Sequence, residues 1–161
     1  MPTRFGRTLP LFAAVLFAAC DDDGPDPDRY EATLSGANEV PANNSNATGS
    51  FVLTDEGDEL EYRIDVQDLA LPTAAHIHAG AAGVNGGILV PLFSTSNPAA
   101  TFSGRLAADV FTATDIQPLP NATAAISLDS LRVLLRTGGA YVNVHTVARP
   151  GGEIRGQVVR R

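Results

Sequence analysis

Residues 59–66 read Glu59-Leu60-Glu61-Tyr62-Arg63-Ile64-Asp65-Val66, with every even position apolar and every odd position charged. Successive side chains of a β-strand point to opposite faces, so this period of two puts Leu60, Tyr62, Ile64 and Val66 on a core and the charges in water. A helix would scatter the same four apolar residues around its circumference. Less strict segments of the same kind run over residues 31–34, 49–54, 74–78, 87–93, 101–106, 141–146 and 153–159. Turn formers separate them: Asp55-Glu56-Gly57-Asp58 reads as a hairpin loop, and the stretches 80–87 and 94–98 as longer connections. One helix is predicted. Ser127 caps a segment Leu128 to Thr137 whose Leu128, Leu131, Leu134 and Leu135 share a face, and Gly138 stops it in the left-handed conformation. About eight strands and a single helix predict an all-β fold, an antiparallel Greek-key β-sandwich with one short helix, over residues 30–161.

The remaining residues, 1–29, read as an address and a leash. Arg4 and Arg7 precede an apolar run from Leu9 to Ala19 that ends in Ala18-Ala19-Cys20. Eleven residues are too few for a permanent membrane span, which needs about 20. The pattern resembles a bacterial lipoprotein signal peptide over 1–19, which implies cleavage before Cys20 and lipidation of Cys20. Export, with the chain held to the membrane of the bacterial cell envelope through its N-terminal lipid, is the expected localisation. Asp21-Asp22-Asp23-Gly24-Pro25-Asp26-Pro27-Asp28 has nothing to bury and carries five carboxylates that repel one another, so 20–29 reads as an acidic, proline-containing tether.

Composition removes whole classes of function. A net charge of -7 argues against nucleic acid as a partner. All eleven basic residues are Arg, which excludes a Schiff-base lysine and a Walker A phosphate loop. The single Cys forbids an internal disulfide framework. No paired carboxylates and no Ser/His/Asp order stand out, so no catalytic residue is assigned.

Three histidines carry what chemistry there is. His76 and His78 flank Ile77, so on a strand the two imidazoles share a face while Ile77 points to the other. Their Cα atoms lie about 6.6 Å apart, close enough to converge on one ion. In Tyr141-Val142-Asn143-Val144-His145-Thr146 the valines take the core, leaving Tyr141, Asn143 and His145 on the opposite face. The expected site is therefore Cu(II) or Zn(II) held by His76, His78 and His145, with affinity falling below about pH 6.5 as imidazole protonates. A hydrogen-bonded structural cluster that braces the sheet is the competing reading.

Several blocks in order resemble the chordin-type (CHRD) domain: Ala32-Thr33-Leu34-Ser35-Gly36, Asn38-Glu39-Val40-Pro41, Ala75-His76-Ile77-His78-Ala79-Gly80, Gly83-Val84-Asn85-Gly86, Tyr141 to Thr146, and Pro150-Gly151-Gly152-Glu153-Ile154-Arg155-Gly156-Gln157. The resemblance spans 31–160. It implies an extracytoplasmic binding or structural module whose partner, a protein or a small ligand, it does not name. The His-x-His strand, the Val142-Asn143-Val144-His145 strand and the glycine- and Arg-bearing C-terminal segment are also similar to copper/zinc superoxide dismutases. That likeness implies three copper ligands at His76, His78 and His145, an anion-guiding role for Arg155, and a copper redox enzyme as the alternative function. It lacks a fourth bridging histidine, a zinc-binding His and Asp block between Gly80 and Gly104, and a disulfide, so a binder is expected rather than an enzyme.

Glu153, Arg155 and Gln157 alternate with Ile154 and Val158 and are expected to face water, Glu153 and Arg155 in a cross-strand ion pair or, with Asn143, in support or guidance of a ligand. Asn38 to Pro41 reads as a loop with Val40 tucked in and Glu39 bonding backbone amides. The first expectation to check concerns Cys20: mass spectrometry of the native protein should find an acylated Cys20 as its first residue. An N-terminal peptide starting at Asp21 or later, or an unmodified Cys20, rules out the lipid anchor.

Overall fold

The computed structural model describes residues 27–161. The expected leader, Cys20 and the tether up to residue 26 lie outside the described residues. Nine strands follow: β1 (Asp28–Ser35), β2 (Thr48–Asp55), β3 (Glu59–Leu69), β4 (Pro72–Ala79), β5 (Ile88–Ser94), β6 (Phe102–Thr112), β7 (Ala140–Thr146), β8 (Ile154–Gln157) and β9 (Val159–Arg160), with one α-helix, α1 (Leu128–Thr137), between β6 and β7. Asp28 and Arg29, read from sequence as the end of the tether, already pair with Asp55 and Thr54 of β2.

All pairings are antiparallel, in the order β5-β4-β7-β8-β1-β2-β3-β6. The path is thin at its middle, where β8 meets β1 only at Ser35 and Arg155, with β9 adding two pairs to β1. The sheet folds over there into two layers, β5-β4-β7-β8 and β1-β2-β3-β6. The β3–β4 and β6–β7 connections cross between the layers, which is the expected Greek-key sandwich. On the far side the edge strands β5 and β6 approach each other, and beside them the Tyr62 hydroxyl of β3 donates to the Leu92 carbonyl of β5 at 2.5 Å.

Alternation does what it predicts in β3. Leu60, Tyr62, Ile64 and Val66 are buried, sharing one core with Phe51 and Leu53 of the neighbouring β2 and with Ile77, Val142, Val144 and Ile154 of the other layer, while Glu59, Glu61 and Arg63 stay exposed. The helix forms with the expected caps: the Ser127 hydroxyl accepts from Ser130 N–H at 3.1 Å, and Gly138 takes φ 69°, a conformation that costs other residues more. It buries Leu131 and Leu135 and leaves Leu128 and Leu134 partly covered. Arg132 ties it to the β2–β3 turn through two bonds to the Asp55 carboxylate, at 2.7 and 2.9 Å.

Besides β1, which starts early, and β3, which runs on to Leu69, two strands depart further from the expected bounds. β6 runs on to Thr112 rather than ending near Leu106, because β3 supplies partners down to Glu59–Thr112 for residues such as Ala107, Ala108 and Asp109 that are poor strand formers alone. The final strand breaks at Val158, whose side chain is buried in the core and whose N–H bonds the Ala140 carbonyl; β8 pairs with β7, and β9 with β1.

Ile64 is completely buried and Arg63 is exposed beside it with a 2.7 Å ion pair to Asp65. Urea unfolding should therefore show Ile64→Ala losing about 2–5 kcal/mol and Arg63→Ala losing less than about 1 kcal/mol. Similar losses at both positions would mean that the buried face is misassigned.

Candidate metal centre

The outer face of the β4-β7-β8 layer is polar in sequence yet largely covered, with His76, His145 and Gln157 half-buried. Residues 36–47, 80–87 and 147–153 fold over it, and in β7 every residue from Ala140 to Thr146 except half-buried His145 is buried. The expectation that Glu153 and Arg155 face solvent is wrong for this reason: they are 7% and 2% exposed. Alternation assigned the correct side of the strand, and the loops then covered that side. Glu153 accepts from Ser45 and, at 2.9 Å, from Thr146 and Arg149. Arg155 donates to the Asn85 side chain at 2.9 Å and to the Val84 carbonyl at 2.8 Å, and its Cζ lies 3.3 Å from the centroid of the Tyr141 ring. An arginine so enclosed is not placed to guide anions from solution.

On this covered face β4 contributes His76 and His78, and β7 contributes His145. Adjacent strands in register bring them together: His76 stands opposite Asn143, His78 opposite Tyr141, and Ala74 opposite His145. His76 Nδ1 lies 3.0 Å from His145 Nε2, and one ligand nitrogen from each of the three rings lies within 4.8 Å of the others. The other nitrogens reveal the tautomers. His145 Nδ1 is 2.8 Å from the Pro150 carbonyl and His78 Nδ1 is 3.0 Å from the Gly86 carbonyl. A carbonyl only accepts, so both Nδ1 atoms carry protons, and in the neutral rings both Nε2 atoms are bare lone pairs. His145 Nε2 accepts from His76 Nδ1–H. His78 Nε2 is buried with no hydrogen-bond partner, as is Oδ1 of neighbouring Asn143.

The rings are neutral because they are enclosed. Burial, helped by the charges of His145 and His78, lowers His76 to about 4. Burial likewise lowers His78 and His145 against the opposing effect of the Gly86 and Pro150 carbonyls. Proton competition for these nitrogens thus begins at more acid pH than the ordinary histidine value, from which the sequence expectation was drawn.

Sequence reasoning placed the three histidines together, and the structure does so. It missed Gly86 and Pro150, whose carbonyls orient two of the rings; a backbone carbonyl has no signature in sequence. Gly86 approaches so closely that a Cβ there would sit 1.7 Å from the Ala79 carbonyl oxygen. Also missed was the stacking of Tyr141 on His78, with ring centroids 4.9 Å apart and planes at 8°.

The blocks that carry this arrangement lie within residues 30–158, over which the chain matches the CHRD domain family. The chain belongs to that family. No curated protein and no solved structure matches it. In this CHRD domain the histidine strands, the 83–86 turn and the Pro150 to Gln157 segment all border one buried polar layer.

A loop residue of the layer behaves unlike its expectation. Glu39, rather than half-buried Val40, is the side chain drawn in; it lies against Gly152 with Oε1 lacking a partner. Burial pushes its carboxyl up from 4.5 to about 7, against the pull of Arg155 and the Val40 N–H. As pH rises from 4.5 through 7, the unfolded chain therefore releases this proton before the folded one, and the stability Glu39 contributes declines. Glu39→Gln cannot ionise. With chelator present, the melting temperature of the variant minus that of the wild type should increase from pH 5 to pH 8. Parallel curves across that range would show that Glu39 titrates normally.

Proposed function

We propose that this CHRD domain is an extracytoplasmic, lipid-anchored binding module in which His78 Nε2, His145 Nε2 and, once its proton has shifted from Nδ1 to Nε2, His76 Nδ1 hold one Cu(II) or Zn(II) ion. The observation that carries it is the convergence of three imidazoles from two adjacent strands, one ligand nitrogen of each lying within 4.8 Å of the others on a half-buried polar face. Three neutral imidazole nitrogens gathered in so small a space form the donor set that a borderline-soft divalent ion takes.

Two of the donors fit as they stand: metal–imidazole bonds are about 2.0–2.1 Å, so nitrogens 3.0 Å apart subtend close to a right angle at a shared ion, while the cluster's spread of up to 4.8 Å has to close below about 4.2 Å for the third to bond. Imidazole suits both metals, and three ligands leave a position for water or a small ligand, where the ion would act as a Lewis acid. Carbonyl groups that fix the distal Nδ1–H are the usual support of metal-binding histidines. Arg4, Arg7, the apolar run and Ala18-Ala19-Cys20 support export and anchoring.

A second reading, a superoxide-dismutase-like copper redox enzyme, draws on the same three nitrogens and the same open position. It receives no help from Arg155, which is engaged with carbonyls and the Tyr141 ring.

Metal analysis of the exported chain, then titration of chelator-treated protein, tests the proposal. One ion per chain is expected, with His76→Ala, His78→Ala and His145→Ala each lowering affinity roughly 100-fold or more while the domain stays folded. Superoxide assays follow if copper is found. Absence of binding at micromolar copper and zinc would leave the histidines as a brace for the sheet and remove the redox reading with it.

A further inference from the structure

Arg155 is a buried cation with no carboxylate within 4 Å among the described residues; Glu39 is near enough to feel its charge, but the groups in contact with the guanidinium are carbonyls, an amide oxygen and an aromatic face. Enclosing a charge on such terms is expensive, and an apolar side chain would suit a purely structural position better. What the guanidinium touches suggests a reason. Asn85, Val84 and Ala81 belong to the 80–87 segment, and Asn85 Nδ2 in turn donates to the Val40 carbonyl at 2.8 Å. The same segment carries Gly86, whose carbonyl holds His78 Nδ1–H at 3.0 Å and whose N–H donates to the Tyr141 hydroxyl at 3.2 Å. Tyr141 is the second link. His78 reaches it from β4 and Arg155 from β8, the strands on either side of β7, and the flat Tyr141 ring stands between imidazole and guanidinium.

We propose that Arg155 is a positioning residue for His78: by clamping residues 81–85 and pressing Tyr141 against the imidazole, it holds His78 in the Nδ1–H tautomer and the single orientation that leaves Nε2 facing His76 and His145. The proposal rests on the metal-centre reading for its purpose but not for its test. Arg155 acts through two contacts that converge on one ring. His145 does not share them, since the Pro150 carbonyl and the Glu153–Arg149 pair fix its side of the site. The fork and plane of the guanidinium matter here, because a lysine ammonium can neither reach two acceptors at fixed angles nor stack on a ring.

The test uses the chain labelled with 15N-histidine, metal-free, at pH 8. In the wild type the His78 and His145 nitrogens should each report a fixed Nδ1–H tautomer. In Arg155→Met, which keeps much of the side-chain volume, the His78 signals should shift toward a tautomer average while those of His145 stay in place. Arg155→Lys should behave as Arg155→Met does. Copper(II) affinity should fall about 10- to 100-fold in both variants. Asn85→Ala, a change at an exposed loop residue, removes one clamp and should show the same His78-specific change to a smaller degree; it decides the matter if the Arg155 variants do not fold. An unchanged His78 tautomer in the folded variants overturns the proposal, as does equal disturbance of His78 and His145, which marks Arg155 as general support. Restoration by Lys would also overturn it, since charge alone would then suffice. If the wild type binds no copper but the His78 tautomer still depends on Arg155, the metal reading fails and the positioning role stands.

Discussion

A sheet face that is polar and also shut away from water has to satisfy its hydrogen bonds inside the protein, and most of this domain is arranged around that requirement. The face belongs to β4, β7 and β8. Its opposite side, with Ile77, Val142, Val144 and Ile154, packs into the ordinary apolar core. Three loops complete the polar side. Gln157 gathers the carbonyls of Gly80, Gly138 and Ala140, Asn43 reaches those of Gly152 and Glu153, and Glu153 collects Ser45, Thr146 and Arg149. The loops are therefore held by polar side chains, some from the strands, as with Gln157, and some from the loops themselves, as with Asn43 and Glu153.

Against that background the exceptions are informative. Among the described residues, three buried side-chain atoms lack a partner: Glu39 Oε1, His78 Nε2 and Asn143 Oδ1. The carboxyl can meet the requirement by keeping its proton, which is the direction in which burial moves it. The imidazole has already committed its proton to Gly86, so its free nitrogen has no such recourse. An exposed histidine pair on a strand would be unremarkable, whereas here His78 and His145 each have Nδ1 fixed by a carbonyl and His76 is bonded to His145, an arrangement of the kind that supports the proposed coordination.

The sequence shows the fold because alternation is a property of single strands. Residues 59–66 announce their buried face, and Ser127 and Gly138 announce both ends of the helix. It shows the histidine cluster for the same reason, since parity along β4 and β7 is enough to put His76, His78 and His145 on one side. Parity says nothing about what lies above that side. Glu153 and Arg155 were assigned the correct face and the wrong environment, because the covering loops come from residues 36–47 and 80–87, far away in the chain. β6 was read short because its later half has little strand character of its own and borrows its conformation from β3.

The position of β7 has one more consequence. It has a hydrogen-bonded neighbour on each edge and is covered on each face, by apolar side chains on one and by the polar layer on the other. Its amides have no route to solvent that does not first open the sandwich, so they should be among the last in the domain to exchange with deuterium. The strand that presents Tyr141, Asn143 and His145 is thus the stiffest part of the scaffold. Under the proposed metal reading, a donor on such a backbone cannot drift to suit ions of different size, so discrimination among ligands would be written into the spacing of the strands rather than into side-chain adjustment.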